Sequence, residues 1–132
     1  MSRRELREQV FKLLFRIEFN EEDEMPEQMA LFFEEKEPIE DSVKEEISRK
    51  YTGILEKKEE LDTMLNEKAA GWTVSRMGKV DLTIMRLALY EMLYDDTVPV
   101  SVAINEAVEL AKKFGQTDSS SFVNGVLAKF AD

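Results

Sequence analysis

The chain has 132 residues, of which 43% are hydrophobic and 35% charged, and its formal net charge is −10. It contains no cysteine and no histidine. That excludes disulfides, thiolate nucleophiles, imidazole bases and most zinc sites, and it fits the reducing cytoplasm. The length predicts one soluble globular domain with a real core.

The charge is unevenly spread. Residues 1–19 hold five Lys/Arg against three Asp/Glu, residues 20–70 hold seven against seventeen, and residues 71–132 hold six against eight. A basic N-terminal patch can coexist with an acidic middle, because exposed charges more than roughly 8–10 Å apart are largely screened. The acidic middle either solvates its own helices or offers a face to a basic partner.

Arg3 to Phe19 is predicted as a helix, with Leu6, Val10, Leu13, Leu14 and Ile17 on one face. Arg4, Phe11 and Phe15 fall on a neighbouring face with Arg7 and Lys12 at its edges, a basic stripe holding two aromatic rings. Glu21 to Glu24 reads as an acidic linker, and Pro26 restarts the chain. Met29, Phe32 and Phe33 give a short second helix that ends before Pro38. Asp41 or Ser42 caps a third, carrying Val43, Ile47, Tyr51, Ile54 and Leu55 and weakened at Gly53.

Leu61, Met64 and Leu65 predict a further short helix finishing near Gly71, and Trp72 to Gly78 is a connector. Val80 to Tyr94 is apolar on almost every side, the mark of a central helix. Its apolar window is broken by Arg86 and Glu91 and is too short to span a bilayer. Pro99 opens the next helix and Gly115 closes it, with Val100, Ile104, Ala107, Ala111 and Phe114 as its stripe and Lys112 and Lys113 in its last turn. The final helix runs from about Asp118 to Ala131. No strand alternation and no repeat is present, so the class is all-α, with about seven helices around a central one.

Chemistry is sparse. There is no Gly-rich phosphate loop, Ser119 to Ser121 have no histidine partner, and the acidic runs lack calcium-loop spacing. The sequence therefore argues against an enzyme, a metal site and a cofactor. Nucleic-acid binding is better supported. Arg3, Arg4 and Arg7 suit phosphates, and Lys12 and Arg16 add to the field. Phe11 and Phe15 either extend the core or stack unpaired bases. Asp118 either caps the last helix or meets a ligand. Phe122 reads as half core and half surface, and Asn124 as bonded locally or to a ligand. Gly125 implies close helix approach, and Arg86 a buried cation paired with a carboxylate or carbonyls.

The runs Arg86-Leu87-Ala88-Leu89-Tyr90-Glu91-Met92, Val98-Pro99, Val102 to Lys112, Phe114-Gly115 and Phe122-Val123-Asn124-Gly125-Val126-Leu127 closely resemble the bacterial transcription antitermination factor NusB family. Arg3-Arg4, Arg7-Glu8 and the aromatic Phe15 resemble its N-terminal helix. The resemblance implies an all-helical fold of two packed subdomains. It implies binding of boxA-type single-stranded RNA and a heterodimer with the ribosomal protein NusE, within an antitermination complex on RNA polymerase. RNA contacts implied by the family are Arg3, Arg4, Arg7 and Phe15 on the first helix and Asp118, Phe122 and Asn124 at the last. Asp81 and Glu91 are the implied contacts to the protein partner.

Many members carry tyrosine where Phe15 stands and a basic residue where Ser121 stands. Both differences imply modest RNA affinity for the chain alone. Two alternatives stay open: a protein-binding helical module whose partner holds the RNA, and a homodimeric regulator.

Overall fold

Ser2 starts the first helix as its residue type suggests, its hydroxyl accepting the Glu5 N–H at 3.0 Å. The computed structural model describes residues 1–36 and 38–131. Among them are six α-helices: α1 (Arg3–Phe15), α2 (Met25–Glu34), α3 (Asp41–Lys68), α4 (Lys79–Tyr94), α5 (Val100–Phe114) and α6 (Ser119–Ala128). Three short 3-10 turns complete the regular structure, and no strand occurs among the described residues. The all-α expectation holds. The count falls from about seven to six because the helices expected at 41–55 and 61–71 are one, α3, of 28 residues. Gly53 costs about 1 kcal/mol against alanine in a helix. It is followed by Glu56-Lys57-Lys58-Glu59-Glu60, a run of strong helix formers with no breaker.

The chain divides into two compact units, Met1–Gly53 and Ile54–Asp132. The core of the first contains Leu6, Val10, Phe11, Leu13, Leu14, Met25, Phe32, Ile47 and Tyr51. The first expected helix is shorter than its pattern, since Arg16–Phe19 tightens into a 3-10 turn. The Asn20 side chain closes that turn by donating to the Arg16 carbonyl at 2.9 Å. The expected acidic linker is ordered: Glu22–Glu24 forms a 3-10 turn, with the Glu21 N–H donating to Glu24 Oε1 at 2.8 Å. Pro26 sits inside the first turn of α2, where its missing N–H is harmless. Asp41 is already helical, and the entry of α3 is closed by the Glu40 carbonyl accepting from Val43 and Lys44. Tyr51 is 3% exposed. Its phenol is pushed up to about 12 by burial, with the Glu22 carboxylate adding to the shift.

In the second unit α4 is buried at every position from Leu82 to Leu89, as a helix apolar on all sides should be. Its one buried cation, Arg86, donates through Nε and NH2 to the two carboxylate oxygens of Asp62 on α3, each at 2.8 Å. The expectation of a carboxylate-paired structural arginine therefore holds. α5 buries Ala103, Ala107, Leu110 and Ala111. Val100 is exposed and Ile104 and Phe114 only half-buried, so the buried line lies beside the expected stripe. Small side chains every fourth residue let α4 and α6 both pack on this helix.

Gly115 does not end α5 through a left-handed conformation, since its φ is −92°. A Cβ there would lie 2.6 Å from Ser119 Cβ and 2.7 Å from the Ala111 carbonyl oxygen. Lack of space is what requires glycine. Gly125 shows the opposite: a Cβ there meets nothing within 4 Å, so close helix approach does not explain it.

Replacing Asp62 by alanine removes the carboxylate that neutralises a buried guanidinium, and unfolding in urea is expected to show a loss of about 3 kcal/mol. Tyr51 has a second signature. Its folded pKa lies above the ordinary tyrosine value of about 10, so its contribution is complete below pH 10 and disappears as pH rises toward 12. Tyr51→Phe is expected to flatten the alkaline fall of stability in that window, measured by urea midpoints across pH.

Candidate nucleic-acid interface

The amphipathic pattern of α1 sorts the expected basic stripe into two groups. Arg3 and Arg4 are exposed, and Arg3 forms an ion pair with Glu46 of α3. Lys12 is half-buried and lies 3.5 Å from Glu8. Arg7 is different: it is only 7% exposed, so its guanidinium offers little surface to a phosphate. One turn of helix, with Leu6 and Val10 in the core beside it, carries Arg7 inward. Phe11 goes inward too, at 3%, which resolves its alternatives in favour of the core.

Phe15 is half-buried and stacks on Phe11, with centroids 6.0 Å apart and planes 24° apart. Phe19 then meets Phe15 edge-on at 5.2 Å and is 64% exposed. Sequence reasoning missed this outer ring, although aromatics at 11, 15 and 19 repeat every fourth residue. It also missed Lys36. Its ammonium lies 4.6 Å from the Phe32 centroid, with the Arg16 guanidinium 5.3 Å from the same ring. Burial and the charge of Lys12 lower the Lys36 pKa. Arg16 is largely committed, donating to the Gln28 carbonyl and amide oxygens at 3.2 Å and pairing with Glu35 at 2.8 Å.

The second unit holds the other expected residues. Asp118 occupies the N-cap position of α6, but its side chain makes no capping bond. The loop is instead closed by Ser119 Oγ, which accepts the Gln116 N–H at 2.9 Å. Asp118 and Asn124 are exposed, and Phe122 is half-buried. The Phe122 ring meets Trp72 edge-on, with centroids 5.8 Å apart at 68°. Trp72 is 50% exposed. Its connector is pinned: the Trp72 N–H donates to the Ala69 carbonyl at 2.6 Å, and the Val74 N–H to Asn66 Oδ1 at 2.7 Å. Gly71, at φ +80°, makes that turn available.

A cleft of about 450 Å³ opens there, lined by Trp72, Arg76, Lys79, Asp81, Asp118 and Phe122 among others. Asp81 thus borders the same cleft as two of the expected RNA residues. Glu91, expected at the protein partner, is 0% exposed. The α4 surface that carries it is interior, so no partner can reach it in this fold. Exposed apolar surface lies instead at Leu93, Tyr94, Val100 and Val102 around the α4–α5 connection. The Tyr94 pKa is raised chiefly by its hydrogen bond to Glu60.

These features define a small helical protein whose exposed surfaces pair aromatic rings with cations. Among its described residues no group of three or more His, Cys, Asp or Glu is placed to hold a metal ion. Among the described residues no helix is long and apolar enough to cross a membrane. The NusB family profile matches residues 4–132, and the chain belongs to that family. A transcription antitermination protein NusB from Lachnoclostridium phytofermentans is 52% identical over 132 residues, covering 100% of both chains. NusB from T. maritima superposes with a TM-score of 0.90 at 34% identity, covering 99% of this chain and 91% of its own. A chain in a solved complex of antitermination factors NusB and NusE with double-stranded RNA shares the fold. Its TM-score is 0.86 at 23% identity, covering 98% of this chain and 95% of its own.

Because the Asp118 carboxylate caps nothing, Asp118→Ala is expected to change unfolding stability by less than about 0.5 kcal/mol, where loss of a working N-cap costs about 1 kcal/mol. Thermal or urea melts of the two proteins check this directly.

Proposed function

We propose that this chain is a non-enzymatic transcription antitermination factor. It binds boxA-type single-stranded RNA together with NusE and promotes read-through by RNA polymerase. The observation that carries the reading is family membership over essentially the whole chain, with a relative of that named function at 52% identity. The surface chemistry agrees with it. In the first unit Arg3, Arg4 and Lys12 supply positive charge, and Phe15 with Phe19 supplies ring faces for unpaired bases. In the second unit Asp118, Phe122 and Asn124 supply a mixed polar and aromatic surface. Arg7 acts in this scheme as an internal cation that orients α1, not as a phosphate ligand. Asp81 remains the candidate contact to NusE.

One observation bears on how much of the RNA the chain holds by itself. Arg3, Lys12 and Arg16 all have carboxylates within 4 Å in the chain itself. Intramolecular pairing lowers the free positive charge, so the reading expects weak binding alone and stronger binding with NusE.

The test is filter binding of boxA-type and scrambled RNA, with and without NusE. A preference for boxA in the complex supports the proposal, and equal binding of both RNAs overturns it. Within that assay Phe15→Ala is expected to weaken RNA binding about tenfold, while Phe15→Tyr keeps most of it, as a stacking ring predicts. Charge reversal of Arg3 and Arg4 is expected to reduce RNA crosslinking to this chain. Unchanged crosslinking would show that NusE alone holds the strand.

A further inference from the structure

Trp72 is the only tryptophan of the chain, and half of its surface faces solvent. A residue with that much apolar area is normally well covered. Its exposure is not a loose end, because the connector is tied down by Asn66 and by the turn at Gly71. The ring also rests edge-on against Phe122. The pair forms a wall with a recess on each side. One is the cleft of about 450 Å³ bordered by Arg76, Lys79, Asp81 and Asp118. The other is a shallower depression of about 260 Å³ over Ala70 and Gly125, bordered by Lys129.

Gly125 gives a second, independent sign. It sits inside α6 with no positive φ and with open space where a Cβ would be. Neither backbone conformation nor helix packing calls for glycine there, yet it weakens the helix. What it does is deepen the second recess.

The charges around the wall select the occupant. Asp118 accepts hydrogen bonds only, so it repels phosphate and suits the N–H groups of a base edge. Arg76, Lys79 and Lys129 stand at the borders, where a strand's phosphates would run. We propose that Trp72 is a stacking platform for unpaired RNA bases, with one base seated in the cleft against Trp72 and its neighbour in the recess over Gly125. This rests on the RNA reading above and extends it to Trp72 and Arg76, and to Gly125, which the sequence pattern assigned to helix packing.

The test uses the full chain, with NusE present, and a short labelled boxA-type RNA. Emission from the single tryptophan is expected to be quenched as the RNA saturates. Trp72→Ala is expected to weaken binding about tenfold or more, and Trp72→Phe to retain most of it. Gly125→Ala separates binding from folding: it is expected to raise the urea midpoint while weakening RNA binding. Full affinity in Trp72→Ala, together with unchanged emission from the wild-type chain, overturns the platform and leaves the RNA reading intact. Failure of the wild-type chain and NusE to bind the RNA at all overturns both. Gly125→Ala and the wild-type emission keep the proposal testable even if Trp72→Ala does not fold.

Discussion

The second unit is built on the narrow contact at Gly115. Ala103, Ala107 and Ala111 precede it at four-residue intervals, and together they give α5 a line of small side chains on its packed side, beside Leu110. At Gly115 even a methyl group would overlap Ser119 and the Ala111 carbonyl. The start of α6 is therefore held against the end of α5, and Ser119 Oγ closes the loop between them. That registration places Asp118 on the surface and Phe122 against Trp72. A shift of one helical position would turn Phe122 by about 100° and dissolve the aromatic wall. The cleft is thus a consequence of a packing constraint in its own wall, since Gly115 and Ser119 both line it.

Charge is handled in two distinct ways. Arg7, Arg86 and Glu91 are interior, and Arg86 is satisfied by both oxygens of Asp62. A buried pair of this kind contributes little net stability but is costly to break. Its effect is to fix how α4 lies on α3. The exposed cations of α1 are paired more loosely, through contacts that water can replace. Motif residues that look alike on paper therefore divide into those that shape the fold and those that face solvent.

The fold was largely legible in the sequence. Apolar spacing located α1, α2, α4, α5 and α6, and Arg86 was recognisable as a buried cation because Ile84, Met85, Leu87, Ala88 and Leu89 on either side of it are apolar. The merging of two expected helices into α3 was not legible, since a single glycine carries a local cost that long-range packing overrides. The site was legible in part. Periodicity placed Arg7 at the edge of a stripe, but a one-dimensional pattern does not say how far the core reaches around a helix. Glu91 was implied by the family resemblance alone, and its complete burial is not visible in a motif. Trp72 was visible only as a large ring in a connector, because its exposure depends on a turn and on Asn66, eight residues before Val74. The reason for Gly125 was out of reach, since an open Cβ position and a crowded one look identical in a string of letters.

The contact between Arg3 and Glu46 has a consequence for how ionic strength acts on this molecule. On the proposed reading, RNA that replaces Glu46 as the partner of Arg3 would shed a condensed counterion, but the abandoned carboxylate would recruit a cation from solution. The two exchanges oppose each other. A phosphate contact made this way contributes much less than the roughly 0.7 of a unit that a free cation gives to the logarithmic salt slope on a single strand. The number of phosphates touched would then be larger than that slope reports, and dilution of the buffer would strengthen the complex less than the arginine content of α1 suggests.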